Sequence, residues 1–597
     1  MSKILVGFLA ALCLAANLSA QQAREQVRVD DPVLGNSPAG FYTVVDGEGD
    51  LRAGLWLDDR VNTSDEDIFM VISQDNGLSW SSEIDVTGGS ASLIDVDYPQ
   101  LLVRNGLIHV LWDDDRTATS SDDTTEYKGY DANGNLVNNV VIPVTTYTHE
   151  LGADGNYVAI AYTGRQSGVT LDELYVVWST DGGLTWPNLA TPVAFDPANI
   201  GLYDVDGYQV VVQDQGAGNW AIHLFVEDDR NGNDDLWYGR IDNGGALGPV
   251  VRLDEDPSGT GTIFYLSTAN TIHAVADGNN VHVSWTEDNR ASAGTNEAVY
   301  YRRSTDGGDN WDPEQQIGGY TVGTDDVDYA NLAADGDVVA VAWSDNRTGE
   351  DPMYISVSND GGATFGAETM IPGGGTQPAE AQYNRLFVDG NWIVAACEDD
   401  SYTASSIDEY PVFVFSNDGG ATWSAPILCG LFNDDEDIDM ADEAWYFGNG
   451  SLSGLWQTDG GSLDGDSVEV GGMRLPYIRA VVDSIGRTVA LELAGEDVAS
   501  AGTGFARWAA STVTGTVVHP ENPALQLDLG ASGILALTLS PGGVAKLSAL
   551  LQADGSASVG PYPLPPSATG KTAYVQGWVN LGGLGGYPSD VLTLVLP

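Results

Sequence analysis

The chain of 597 residues carries 86 Asp and Glu against 23 Lys and Arg, a formal net charge of −63. That imbalance excludes duplex nucleic acid and anionic membrane surfaces as partners, because both need clustered cations to displace counterions. With 43% hydrophobic residues, 16 Trp and 25 Tyr, it equally excludes a disordered acidic polymer, and 73 Gly favour turns and strands over helices.

The N-terminus reads as a secretory leader at Met1–Ala20. Lys3 supplies the positive start, Ile4–Ala16 the apolar run and Leu18-Ser19-Ala20 a small-residue cleavage site before Gln21. The run is too short to span a bilayer, and Leu12 before Cys13 is unlike a lipoprotein site. A secreted chain without membrane insertion is the expectation.

The octet Ser-x-Asp-x-Gly-x-x-Trp/Phe then organises most of the sequence. It recurs at Ser73–Trp80, Ser179–Trp186, Ser304–Trp311, Ser358–Phe365 and Ser416–Trp423, with degenerate copies at Asp131–Gly134 and Asp242–Gly245. The spacing of the turn aspartates suits four short strands and their connections, one propeller blade. Within each octet the carboxylate can accept turn N–H groups, glycine supplies positive φ, and the aromatic can bury beneath the turn.

Ahead of each octet lies a strand ending in an aromatic, acids and Arg: Trp56–Arg60, Trp112–Arg116, Glu227–Arg230, Trp285–Arg290 and Trp343–Arg347. Weaker copies are Tyr162–Arg165 and Ala396–Asp400, and an eighth, Leu455–Gly460, has no clear octet after it. Each repeat therefore reads as strand A, strand B with the acidic–Arg end, strand C, the octet turn and strand D. Asp-Val/Ile-Asp opens strand A in alternate repeats, at Asp95/Asp97, Asp204/Asp206, Asp326/Asp328 and Asp437/Asp439. Eight blades are favoured, with seven as the alternative. Gln26–Pro32 resembles the D strand Val250–Pro257, so the N-terminal segment is expected to close the last blade and leave no open edge. Cys397 and Cys429 fall on strands B and D of one blade with strand C between them, which predicts two unpaired thiols.

Beyond residue 478 the character changes. Residues 479–597 hold eight acids and five basic residues, net −3, leaving −60 on residues 1–478. Apolar and polar residues alternate there between Gly/Pro turns, which predicts a small accessory β-sandwich over 479–597 after a propeller over 25–475.

The octets resemble Asp-boxes, also called BNR repeats, and over residues 25–475 the chain resembles the sialidase-superfamily β-propellers. That resemblance implies octets on C–D turns, on the face opposite the sialidase active site. It also implies that an active relative would use three arginines clamping a carboxylate, an Asp acid/base and a Tyr nucleophile activated by Glu. No Arg-Ile-Pro motif opens the propeller; Arg28-Val29-Asp30 and Arg474-Leu475-Pro476 are imperfect echoes. Arg60, Arg116, Arg230, Arg290 and Arg347 recur with the repeat, so they read as Arg–Asp ties of the scaffold, and no residue is assigned as catalytic.

The acidic loops between strands B and C share one face with the strand A starts. They suggest Ca²⁺ held by oxygen ligands, with Asp95, Asp97, Asp326 and Asp328 as candidates, against the alternative of a merely solvated acidic surface. His109, His223 and His282 lie on B strands and read as packed core residues. Trp178, Trp220, Trp237, Trp392 and Trp445 read as core or inter-blade aromatics. Two functions remain in view: an extracellular propeller that binds glycan or another surface ligand without a catalytic set, and an exo-sialidase or related glycoside hydrolase. The acidic propeller makes an anionic substrate the harder one to accept.

Overall fold

The computed structural model describes residues 27–30, 42–62, 65–88, 96–114, 124–142, 148–165, 171–232, 234–255, 262–263, 272–288, 297–321, 325–348, 351–371, 381–399, 410–424, 426–428, 438–439, 444–458 and 467–474, and strands between 477 and 595. The leader Met1–Ala20 and Cys429 lie outside these residues. The described chain is all β, and it contains no helix long and apolar enough to cross a membrane.

Eight antiparallel sheets follow one another along residues 27–474. In the first blade strand A is Thr43–Glu48, B is Leu51–Asn62, C is Asp65–Ser73 and D is Ile84–Asp85, paired in that order. Blades two to seven occupy residues 96–141, 148–194, 205–252, 262–317, 327–370 and 381–428 in the same sense. The eighth takes Trp445–Gly448 and Ile438–Asp439 beside Ser451–Thr458, then Ser467–Arg474. Its outermost strand is Val27–Arg28, with Val27 opposite Val470 and Arg28 opposite Glu469. The expected terminal closure is thus present, and the blade number is eight rather than seven. Strand A of each blade packs on strand A of the next, all the way round to the contact between blades eight and one. These strands form the innermost ring about the axis.

The apolar clusters lie at the seams between blades. One joins Leu55, Met70 and Ile72 of blade one to Val103, Val110 and Trp112 of blade two, and another joins blades three and four through Trp178, Trp220 and Ile222. Because each sheet has two faces to cover, both must be apolar, and strand B therefore reads as a nearly continuous hydrophobic run. Trp178, Trp220, Trp392 and Trp445 are buried, as their reading as packing aromatics predicts.

All five octets sit on C–D turns and close in the same way. In the fourth, Ser358 Oγ donates to Asp360 Oδ1 at 2.7 Å and accepts the Gly362 N–H at 2.9 Å. Asp360 Oδ1 also accepts the Thr364 N–H at 2.9 Å, and Oδ2 accepts its hydroxyl at 2.7 Å. The Thr364 N–H, then the Thr364 and Ser358 hydroxyls, pull the Asp360 carboxyl down to about 2. The octet aromatic reaches the preceding blade: Trp186 packs edge-on against Tyr127, Trp311 against Tyr238 and Phe365 against Tyr301, with centroids 5.1, 4.9 and 4.8 Å apart.

Those tyrosines explain the strand B histidines. Tyr127, Tyr238 and Tyr301 hydrogen-bond through their hydroxyls to Nδ1 of His109, His223 and His282, at 2.7, 2.8 and 2.6 Å. The same hydroxyls fill the space where a Cβ on Gly183, Gly308 or Gly362 of the next octet would stand. Each glycine also has φ between 80° and 92°, with Gly362 at 80°, so it is fixed twice over, by backbone and by its neighbour. Burial holds the three imidazoles neutral, with His109 and His282 pushed down to about 4 and His223 to about 3.

Cys397 on strand B is a buried free thiol, its pKa raised by burial and then by Asp399 and Glu398. Past Arg474 the described strands form a three-stranded sheet, a four-stranded sheet and a two-stranded pair, the last from Thr514–Val518 with Gln526–Leu529.

Candidate ligand site at the axial mouth

The starts of strand A and the ends of strand B meet on the face opposite the octets. Here the repeated element does structural work. The indole N–H groups of Trp56, Trp285 and Trp343 donate to Asp58, Glu287 and Asp345 two residues on, at 3.3, 3.1 and 2.8 Å. Burial of these carboxylates is compensated by those donors and by arginine. Arg230 grips Asp228 through Nε at 2.8 Å and lies over Trp237 and Tyr203, 4.2 and 4.6 Å from their centroids. Arg347 does the same with Asp345 at 2.7 Å, over Tyr354 at 4.1 Å, and also bridges Glu368. Arg165 pairs with Asp172 at 2.7 Å. The expected Arg–Asp ties are therefore observed at Arg230 and Arg347, while the Arg60, Arg116 and Arg290 side chains lie outside the described residues.

The paired aspartates at the strand A starts divide into two roles. Where the first of the pair is described it clasps the preceding blade: Asp204 Oδ1 accepts the Asp172 N–H at 2.7 Å, and Asp326 Oδ1 accepts the Glu297 N–H at 3.2 Å. The second stands at the mouth. Asp206 is exposed, and its carboxyl is raised to about 6 by desolvation and then by Asp234, Asp204, Asp229 and Asp172. Asp328 is raised to about 6 by desolvation and then by Asp326 and Asp351. Asp97 is exposed. Of the calcium candidates, Asp95 lies outside the described residues, while Asp97 in blade two stands across the ring from Asp326 and Asp328 in blade six. Among the described residues no three His, Cys, Asp or Glu side chains gather as a metal-holding group.

The strand B residue after the position of Trp56, Trp285 and Trp343 varies around the ring. It is Leu57, Asp113, Thr163, Glu227, Thr286, Ser344, Cys397 or Gln457, all of them buried. Two of these side chains cross to the next strand A: Asp113 binds His149 Nδ1 at 2.8 Å, and Ser344 Oγ accepts from Asn384 Nδ2 at 2.8 Å. The Glu227 carboxyl is pushed well up by burial, then by Asp234, Asp206 and Asp228, and its Oε2 has no hydrogen-bond partner among the described residues.

Sequence reasoning missed Tyr98. Strand A of blade two, Val96–Arg104, slips register between Asp97 and Gln100. The bulge drives Tyr98 to φ 51°, a region that costs a residue with a side chain about 1–3 kcal/mol. Its backbone is pinned there: the Tyr98 carbonyl accepts from His149 Nε2 at 2.8 Å, and Thr125 Oγ1 donates to Asp113 at 3.1 Å behind that imidazole. The ring itself is 54% exposed and stands edge-on to Tyr42, centroids 5.8 Å apart. The signal was legible as Asp97-Tyr98 and Asp328-Tyr329, an aromatic after the second aspartate of the pair.

Octets on the outer turns of a closed ring of four-stranded blades decide the architecture. The fold is an eight-bladed β-propeller. No family model and no curated protein matches the chain. Among solved structures it is similar to the β-propeller domain of the trilobed protease from Pyrococcus furiosus, at 10% identity and TM-score 0.37 over 66% of this chain and 96% of that one. It is likewise similar to the Penicillium chrysogenum α-L-arabinanase (14%, TM-score 0.32, 63% and 94%) and to the leech intramolecular trans-sialidase (11%, TM-score 0.33, 68% and 70%). These overlaps are too loose to speak for any activity, which has to be argued from the mouth itself.

Proposed function

We propose that this chain is an exported propeller that binds extracellular or cell-surface glycan at its axial mouth, without hydrolysing it. One observation carries the reading: the mouth presents an exposed, backbone-strained tyrosine, while the described arginines around it are engaged by the chain's own carboxylates. A guanidinium already neutralised by Asp228 or Asp345 is poorly placed to clamp a sugar carboxylate. Export enters from the leader-like Met1–Ala20; N-terminal sequencing of protein recovered from culture medium is expected to start at Gln21, and a start at Met1 would contradict it.

A second reading, glycoside hydrolysis, is favoured by Asp206 and Glu227, two carboxyls with raised pKa, Asp206 being one of the charges that raise Glu227 after its burial and Asp234. Turnover of fluorogenic sialosides and arabinosides at high protein concentration separates the two. The binding reading expects none; hydrolysis that disappears in Glu227→Gln would replace it with the second.

A further inference from the structure

We infer that Tyr98, backed by Tyr42, is the stacking platform for one ring of a neutral saccharide; the inference rests on the glycan-binding reading and assigns it a subsite. An apolar ring left in water is unremarkable by itself. Here, however, the chain also accepts an unfavourable backbone to hold it there, and surrounds that backbone with a dedicated buried network. His149 Nε2 donates to the Tyr98 carbonyl, Asp113 holds His149 Nδ1, and Gln100 brackets the same strand by donating to the His149 carbonyl at 3.2 Å and accepting the Leu151 N–H at 2.7 Å. The Gln100 bracket has a counterpart one blade on, where Glu150 accepts the Val210 N–H at 2.8 Å, but among the described residues the Asp113–His149 clamp on a strand A carbonyl is seen at blades two and three. Among the described residues the Tyr98 ring belongs to no apolar seam cluster, whereas Tyr42 packs against the seam of blades one and two. One tyrosine is therefore anchored and the other is offered.

The chemistry of the surroundings selects the ligand. A planar π-face takes the C–H face of a sugar ring. A propeller carrying nearly all of a −63 charge repels an anionic sugar. Neutral hexose or pentose units fit; sialic and uronic acids do not.

Calorimetric titration of the full chain with arabinohexaose, xylohexaose, mannohexaose and cellohexaose, and with sialyllactose as the anionic member, tests this on wild type, Tyr98→Gly and Tyr98→Trp. Glycine removes the ring and relieves the positive φ together. The expected result is binding of at least one neutral member, weakened roughly tenfold or more in Tyr98→Gly and retained in Tyr98→Trp, with no fall in melting temperature for the glycine variant. Binding unchanged in Tyr98→Gly would overturn the subsite while leaving the glycan reading in place. Absence of binding by wild type to every member would overturn both. Tighter binding of sialyllactose than of any neutral member would overturn the assignment of sugar class, and a lowered melting temperature in Tyr98→Gly would return the ring to a structural role.

Discussion

The octet turns and the axial mouth lie at opposite ends of the same strands and follow opposite rules. On the octet side each strong copy repeats the same hydrogen bonds, and Trp186, Trp311 and Phe365 each lean on a tyrosine of the preceding blade. At the mouth the tied carboxylates recur while the residue beside them varies, and of the strand A starts that slip register, in blades two, four, six and seven, the one in blade two presents the exposed Tyr98. A residue demanded by every blade is explained by the blade. What needs another explanation is the residue that one blade has and its neighbours lack.

The sharpest way to break that contrast is at an octet glycine. Gly362→Ala places a methyl inside the Tyr301 hydroxyl at φ 80°, combining overpacking with left-handed strain. The expected loss is about 3 kcal/mol or more, read as a lowered denaturation midpoint, with saccharide binding unchanged wherever the variant is folded. A neutral outcome would mean that the seam yields easily and that the repeat is not what holds the ring.

Next in size is a pH effect of opposite sign at the two ends. His109, His223 and His282 have folded pKa values below the ordinary 6.5, so the unfolded chain binds more protons between about 6.5 and the folded values. Their stabilisation is complete above pH 6.5 and is lost as pH falls through that window, about 1 kcal/mol for each histidine by pH 5.5. Melting curves of wild type against His282→Gln check it; the variant should show the shallower decline on acidification.

At the mouth the sign reverses. Asp206 has a raised folded pKa of about 6, so it destabilises the folded chain above that pH and ceases to do so below the ordinary aspartate value near 3.8. Because the side chain is exposed, solvent screening keeps the effect small: Asp206→Asn is expected to stabilise by about 1 kcal/mol or less at pH 8 and by nothing at pH 4. Destabilisation at pH 8 would show instead that Asp206 carries a tie of its own.

The ring was legible because its information is repeated. Octet spacing, the acidic–Arg strand ends and the likeness of Gln26–Pro32 to Val250–Pro257 led to eight blades and the closing strand Val27–Arg28. The partnership of each strand B histidine with a strand C tyrosine escaped notice because the two lie 15 to 19 positions apart, at a separation that varies with loop length. Tyr98 was harder still. Its exposure follows from a register slip between two strands, and a slip is a property of the pairing that neither strand carries alone. The aspartate pairs were visible as a pattern, but their division into a clasping and a facing member depends on which backbone N–H groups the neighbouring blade brings within reach.

The central claim, that ligand chemistry sits at the mouth and scaffolding at the octets, is tested most directly by hydrogen–deuterium exchange with and without the best-binding neutral oligosaccharide. The account predicts protection concentrated at the strand A starts around Tyr42 and Asp97–Gln100, with the octet turns unchanged. Protection centred on the octet turns, or spread evenly over the blades, would contradict it.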